Sequence, residues 1–411
     1  MERHVLQNHS TKKEGVFDML PEKTLSWGLS RNCMRELSAY GARRKQEIGA
    51  ENVYDFALGN PSVLPPDIVN QSIIDIIREE GDTVHAYTTA AGILSLRRKI
   101  ADDLNDRFHL DITADLLYIA TGAAGALAAS LRGTLLPGDE VICLAPFFTE
   151  YRVFVEAAGG EVNVVPPAED FSLNLDGIKA ALNEKTKALI VNSPNNPSGA
   201  VVSADELALL GDLLRRHEEK TGNTLYLISD EPYREIVYDG IEYACPLSFY
   251  DDSVMCYSFS KALSVPGERL GYFAVNPRME DAANVYASIV GAARCLGYVN
   301  PPALFQRVIE RSIGHYSDIS EYKINRDILC KGLRELGYEY AEPQGAFYLF
   351  VKALEPDALA FSERARSYEL LLPASNDFGC SGYVRISYCV PRETIENAMP
   401  AFKALMDSYS C

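Results

Sequence analysis

The sequence predicts an α/β fold in which a seven-stranded, mostly parallel sheet forms a large domain beside a smaller α+β domain. Three observations carry this expectation. Seven short apolar runs recur between residues 116 and 276, helical patterns lie between several of them, and beyond about residue 300 the texture changes to helix, strands and a closing helix. A chain of 411 residues also exceeds the size at which a single core stops growing, so two packed units are expected.

In chain order, residues 1–27 read as a tail or arm. Gly28 to Gly49 reads as one amphipathic helix and FALGNPSVLPPD (56–67) as a short strand broken by turn residues, which assigns 28–66 to the small domain. The large domain is placed at 67–300. Its runs are LLYIATG (116–122), EVICLAP (140–146), EVNVVPP (161–167), KALIVNSP (187–194), TLYLISDEP (224–232), VMCYSFS (254–260) and RLGYFAVN (269–276). Helical segments at Ala123 to Leu136 and Ala204 to Lys220 supply the alternation of a parallel sheet covered on both faces. The last two runs lie too close for a crossover helix, so one of that pair should be antiparallel. Residues 301–411 complete the small domain with a long helix, the strands FYLFVKA and YVRISYC, and a final helix.

Composition excludes several classes of function. No run approaches the roughly 18 apolar residues of a membrane span, and the polar opening MERHVLQNHSTKKEGVFDML lacks the apolar core of a secretory signal, so a cytoplasmic protein is expected. Nine cysteines, scattered without a C-x-x-C pair, read as reduced thiols rather than disulfides or metal ligands. The formal charge of −18 argues against nucleic acid and anionic membranes. The dense basic cluster Arg43-Arg44-Lys45 reads as a solvated helix face.

Ligands of open parallel sheets bind beyond the carboxyl ends of the strands, and the polar punctuation of this chain falls there. Thr121-Gly122-Ala123-Ala124 opens a helix whose first N–H groups suit a phosphate. Phe148, Asn196, Asp230 and Lys261 end other runs. Singly each has an ordinary reading, as core aromatic, turn residue, helix cap or snorkelling lysine. Together they place an anion site, an aromatic face, an amide, a carboxylate and an amine on one rim. A ligand with a phosphate, an aromatic ring with a basic nitrogen, a hydroxyl and an aldehyde accounts for all of them, and pyridoxal 5′-phosphate has those groups.

FALGNPS, AYTTAAGILSLR, ATGAAGAL, NSPNNPSG, SDEPY, SFSKALSVPGERLGY, PQGAFYLF and YVRISY follow one another over residues 28 to 408. In order and spacing this resembles the class I/II aminotransferases of the pyridoxal-phosphate fold type I, and within them the bacterial aspartate aminotransferase-like branch. The resemblance implies that Lys261 captures the cofactor aldehyde and, once freed by an amino acid, moves the proton between Cα and the cofactor. It implies that Asp230 pairs with the pyridine nitrogen, that Tyr233 and Asn196 donate to the phenolic oxygen, and that Phe148 stacks on the ring. A phosphate cup of Ala123 and Ala124 backbone N–H groups, Ser258, Ser260 and Arg269 is implied as well. Tyr87, in HAYTTAAG, matches a tyrosine that relatives lend to the neighbouring subunit's phosphate, which implies a homodimer with shared active sites. Arg385 matches the arginine that clamps the substrate α-carboxylate, and Gly59 the glycine that brings backbone close to it.

What reads the substrate side chain is open. In one branch of the family an arginine just upstream of Asn-Pro-Pro does so; here Asn300-Pro301-Pro302 is present but the position holds Cys295, with Arg294 one residue out of register. The expected reaction moves an amino group from an L-amino acid, such as aspartate, to a 2-oxo acid such as 2-oxoglutarate by a ping-pong route. A C–S lyase or other elimination enzyme on the same scaffold is the alternative, with a non-catalytic cofactor-binding regulator behind it.

Overall fold

The computed structural model describes residues 20–29 and 33–409. The expected tail and first helix meet it as two helices, α1 (Glu22–Leu29) and α2 (Cys33–Ile48), so helix begins inside the stretch read as a tail, whose residues 1–19 lie outside the described residues. Trp27 Nε1 donates to Glu156 at 3.3 Å, tying α1 to the large domain. The strand expected at 56–67 is paired only just before it, at β1 (Tyr54–Asp55). Phe56 still donates to Leu371, but Pro61, Pro65 and Pro66 lack the N–H groups a longer ladder needs.

After α3 (Asp67–Glu80) and α4 (Leu94–Phe108) the large sheet is built from β2 (Leu117–Ala120), β3 (Glu140–Leu144), β4 (Glu161–Val165), β5 (Thr186–Asn192), β6 (Tyr226–Asp230), β7 (Ser253–Ser258) and β8 (Gly271–Val275). Their order is β2-β8-β7-β6-β5-β3-β4, and β8 runs antiparallel to both neighbours. This is the seven-stranded sheet with one reversed strand that the run spacing predicts. The inner strands are buried on both sides because both faces are covered, whereas the edge strand β4 (EVNVV) is only partly buried. Tyr118, Ile190, Ile228 and Phe273 pack beneath α5 (Gly122–Thr134), while Leu117, Met255 and Tyr272 pack against Leu96 and Leu104 of α4.

The single helix expected after residue 300 is two, Ala303–Ser312 and Ser320–Glu335, separated at Gly314 (φ 85°). Val308 and Ile309 of the first join the core formed by Val69, Ile76 and Leu96. That helix therefore packs against α3 and α4 of the large domain. The small domain has a three-stranded antiparallel sheet of β9 (Tyr340–Ala341), β10 (Tyr348–Lys352) and β12 (Tyr383–Ser387), with β10 in the centre, while β1 pairs in parallel with β11 (Leu370–Leu371). The closing helix Arg392–Asp407 buries Ile395, Ala398, Phe402 and Leu405 at helical spacing against it. Each large apolar side chain so buried contributes about 1.5–3 kcal/mol. Among the described residues no helix is long and apolar enough to cross a membrane.

Candidate active site

The carboxyl ends of β2, β5, β6 and β7 share one edge of the sheet, and the residues that follow them line a cavity of about 500 Å³ facing β10 and β12 of the small domain. Ala123, Ala124, Phe148, Asn196, Asp230, Tyr233, Ser258, Ser260, Lys261, Arg269, Gly59 and Arg385 all reach it. Tyr87 does not; it is 94% exposed, on the segment whose Thr88 Oγ1 accepts from Gln306 Nε2.

Lys261 sits in the short helical turn Phe259–Ala262 that follows β7, where the Ser258 side chain caps the Ser260 N–H. Its amine donates to the Gly59 carbonyl at 2.7 Å and lies 5.5 Å from the Phe347 ring. Burial lowers its pKa from 10.5 to about 8; Cys389 opposes that shift, and the nearby Arg269 and Arg385 add to it.

Asp230 ends β6. Its Oδ2 accepts from Tyr151 Oη at 2.5 Å, while Oδ1 is buried without a partner among the described residues. Burial raises this carboxyl to about 7, the Tyr151 hydrogen bond pulls it back, and Glu231 pushes it further up. Asn192, at the end of β5, donates to the Asp230 carbonyl and accepts from the Asn196 N–H, so one amide joins two strand ends. Phe148 lies edge-on to Tyr151, with ring centroids 5.8 Å apart.

At the opposite end of the cavity α5 begins at Gly122, whose φ of 75° favours glycine. A Cβ there would lie 3.1 Å from Arg269 Nη2 and 3.5 Å from Ser258 Oγ, so the glycine makes room for the guanidinium. Ser258 and Ser260 hydroxyls meet at 2.7 Å. On the small-domain side Arg385 donates to Asn196 Oδ1 at 3.0 Å and to the Ala57 carbonyl, its Nε is buried without a partner among the described residues, and its guanidinium lies 4.6 Å over the Tyr348 ring. Tyr348 and Tyr233 share a hydroxyl hydrogen bond of 2.8 Å.

Tyr348, Tyr151 and Asn192 are parts of this site that sequence reasoning passed over. Tyr348 stood within the quoted PQGAFYLF and Asn192 at the head of NSPNNPSG, whereas Tyr151 carries no local signal: it lies 79 residues from the carboxylate it binds.

The donor set fits pyridoxal phosphate. A buried carboxylate oxygen without a donor stands at one end, an N–H-lined helix start with two hydroxyls and an arginine at the other, and a weakly basic amine between them. A protonated ring nitrogen beside Asp230 would satisfy Oδ1 and return the acid to its ionised form.

The fold and this site define a pyridoxal-phosphate-dependent enzyme of fold type I. Comparison with known proteins agrees: residues 50–402 match the family model for aminotransferase class I and II. The aspartate aminotransferase of Thermotoga maritima is 29% identical over 364 residues, 87% of this chain and 92% of that protein. The aspartate/prephenate aminotransferase of Thermus thermophilus is 30% identical over 327 residues, 78% of this chain and 83% of its own. Among solved structures, an aminotransferase from Eubacterium rectale superposes with a TM-score of 0.93 at 44% identity, covering 96% of this chain and 100% of that one. The Thermus thermophilus aspartate aminotransferase with maleate gives 0.83 at 26% identity, covering 94% and 100%. The chain belongs to the class I and II aminotransferases and, as an enzyme of the aspartate aminotransferase type, uses pyridoxal 5′-phosphate.

Proposed function

We propose that the enzyme transfers the amino group of aspartate to 2-oxoglutarate or a similar 2-oxo acid by a ping-pong route. One observation carries the reading: a weakly basic lysine and a buried arginine with a free N–H reach the same cavity from different domains. Bound cofactor supplies an aldehyde for the amine and a cationic ring that draws electrons from the substrate's Cα.

In this reading Lys261 would hold the cofactor through its aldehyde, and its Nζ, about half neutral at pH 8, would take the Cα proton as general base. Asp230, oriented by Tyr151 and Asn192, would hold the ring nitrogen. Tyr233 and Asn196, which line the same cavity, would donate to the cofactor's phenolic oxygen, and Phe148 would supply an aromatic face for its ring. Ala123, Ala124, Ser258, Ser260 and Arg269 would bind the phosphate, where the α5 dipole adds to the arginine's charge. Arg385 exchanges its contacts with Asn196 and Ala57 for the substrate α-carboxylate, with the Gly59 backbone alongside. A homodimer in which Tyr87 completes the neighbouring phosphate site accounts for its exposure in the single chain.

The test is a panel of amino acids incubated with the holoenzyme and 2-oxoglutarate while the cofactor's visible absorption is followed. Aspartate should change the spectrum and yield glutamate. Release of pyruvate and ammonia without any oxo-acid acceptor would replace this reading with an elimination.

A further inference from the structure

Among the described residues, the cavity is lined by one cation for which the roles above leave no use. Lysine and arginine reach it at Arg35, Lys261, Arg269 and Arg385, against the carboxylates of Glu150 and Asp230. Lys261 is held on the Gly59 carbonyl, Arg269 stands at the helix start, and Arg385 stands ready for the α-carboxylate. Arg35 is different. Its side chain is 81% exposed, and it faces Glu150 at 3.9 Å, beyond hydrogen-bond range. Such an exposed pair is weak and easily exchanged.

Its backbone, by contrast, is anchored. Met34, the preceding residue on α2, is buried with Phe378 and Phe350 of the small domain, and the Phe378 ring lies 5.4 Å from the Arg385 guanidinium. A long flexible side chain thus rises from a fixed point near the α-carboxylate clamp, at the mouth of the same cavity.

We infer that Arg35 reads the distal carboxylate of a dicarboxylic amino acid, leaving Glu150 to do so. The inference rests on the proposed reading of the site and names the group that the sequence left open. Glu150 acts as a parking partner: it holds the guanidinium at the mouth until a substrate carboxylate, less exposed to water than Glu150, competes for it. An arginine suits the task because its planar fork matches a carboxylate with two parallel hydrogen bonds.

The test compares aspartate with alanine, which has the same α-carbon groups and no distal carboxylate. Arg35→Gln should lower kcat/KM for aspartate at least tenfold, mainly through KM, and change that for alanine less than twofold. Glu150→Gln should act in the opposite direction and lower KM for aspartate, since it removes the competing carboxylate. Calorimetric titration with maleate gives a readout independent of turnover, and Arg35→Gln should weaken it at least tenfold. Equal losses on aspartate and alanine, or unchanged kinetics and maleate binding, would overturn the inference. A wild-type enzyme that uses alanine but neither aspartate nor glutamate would overturn the donor reading as well; one that uses aspartate undiminished by Arg35→Gln would overturn this inference alone.

Discussion

The Lys261 amine rests 2.7 Å from the carbonyl oxygen of Gly59, a residue 202 positions earlier in the chain. The contact joins the end of β7 to the loop after β1 and sets the amine at the junction of the two domains. It also satisfies a desolvated amine with a neutral acceptor rather than a carboxylate, so the fall in its pKa is opposed by Cys389 but not offset by an ion pair.

Lys261 should therefore react as a nucleophile at far lower pH than an ordinary lysine. In the cofactor-free protein, competitive labelling by an amine-acylating reagent, followed by peptide mapping, should show half-maximal reactivity at Lys261 near pH 8. A midpoint near 10.5 would contradict the burial argument.

Asp230→Asn should stabilise the cofactor-free protein while lowering the activity of the loaded enzyme. The folded-state pKa of about 7 lies above the ordinary 3.8, so between those values the folded chain holds a proton that the unfolded chain releases. Stability consequently falls as pH rises through that window, by up to about 4 kcal/mol at 1.36 kcal/mol per unit. The amide escapes this loss. Urea unfolding of the stripped proteins should show little difference at pH 4 and the variant ahead by a few kcal/mol at pH 8; a variant less stable at pH 8 would refute the argument.

Arg385→Ala should cost about 2–5 kcal/mol in kcat/KM, the range for removing one partner of a buried charge pair. Arg385→Lys should recover only part of it, because an ammonium keeps the charge and loses the fork. Steady-state kinetics of both variants with aspartate check this, and undiminished turnover in the alanine variant would remove the clamp.

Gly59→Ala should damage the site through Tyr348. A Cβ at residue 59 would lie 2.0 Å from the Tyr348 hydroxyl oxygen and must displace either that ring or the carbonyl that holds Lys261. Overpacking of this kind costs about 1–3 kcal/mol. Tyr348→Phe removes the closest atom, so the double variant should be less destabilised than the sum of the singles. Additive losses in urea unfolding would show that the two residues do not interfere.

Much of this was legible in the sequence because its signals are local. The apolar runs place all seven strands to within a few residues, since a strand buried on both faces must be apolar throughout. The short spacing between β7 and β8 already requires their antiparallel pairing. Strand-end residues such as Asp230 and Lys261 stand out because a charged group at the end of a buried run needs a reason to be there.

Partner choice was not legible. The apolar face of Ala303–Ser312 states that it must pack, but the hydrophobic effect has no direction, and only the folded chain puts Val308 and Ile309 against the large domain. The sequence by itself determined the order of elements and the chemistry available at the strand ends, both of which depend on neighbours a few residues away. Tertiary structure alone decided that Tyr151 holds Asp230, that Tyr348 lies between Tyr233 and Arg385, and that Arg35 stands at the cavity mouth, because each of those meetings joins distant segments whose approach no local pattern encodes.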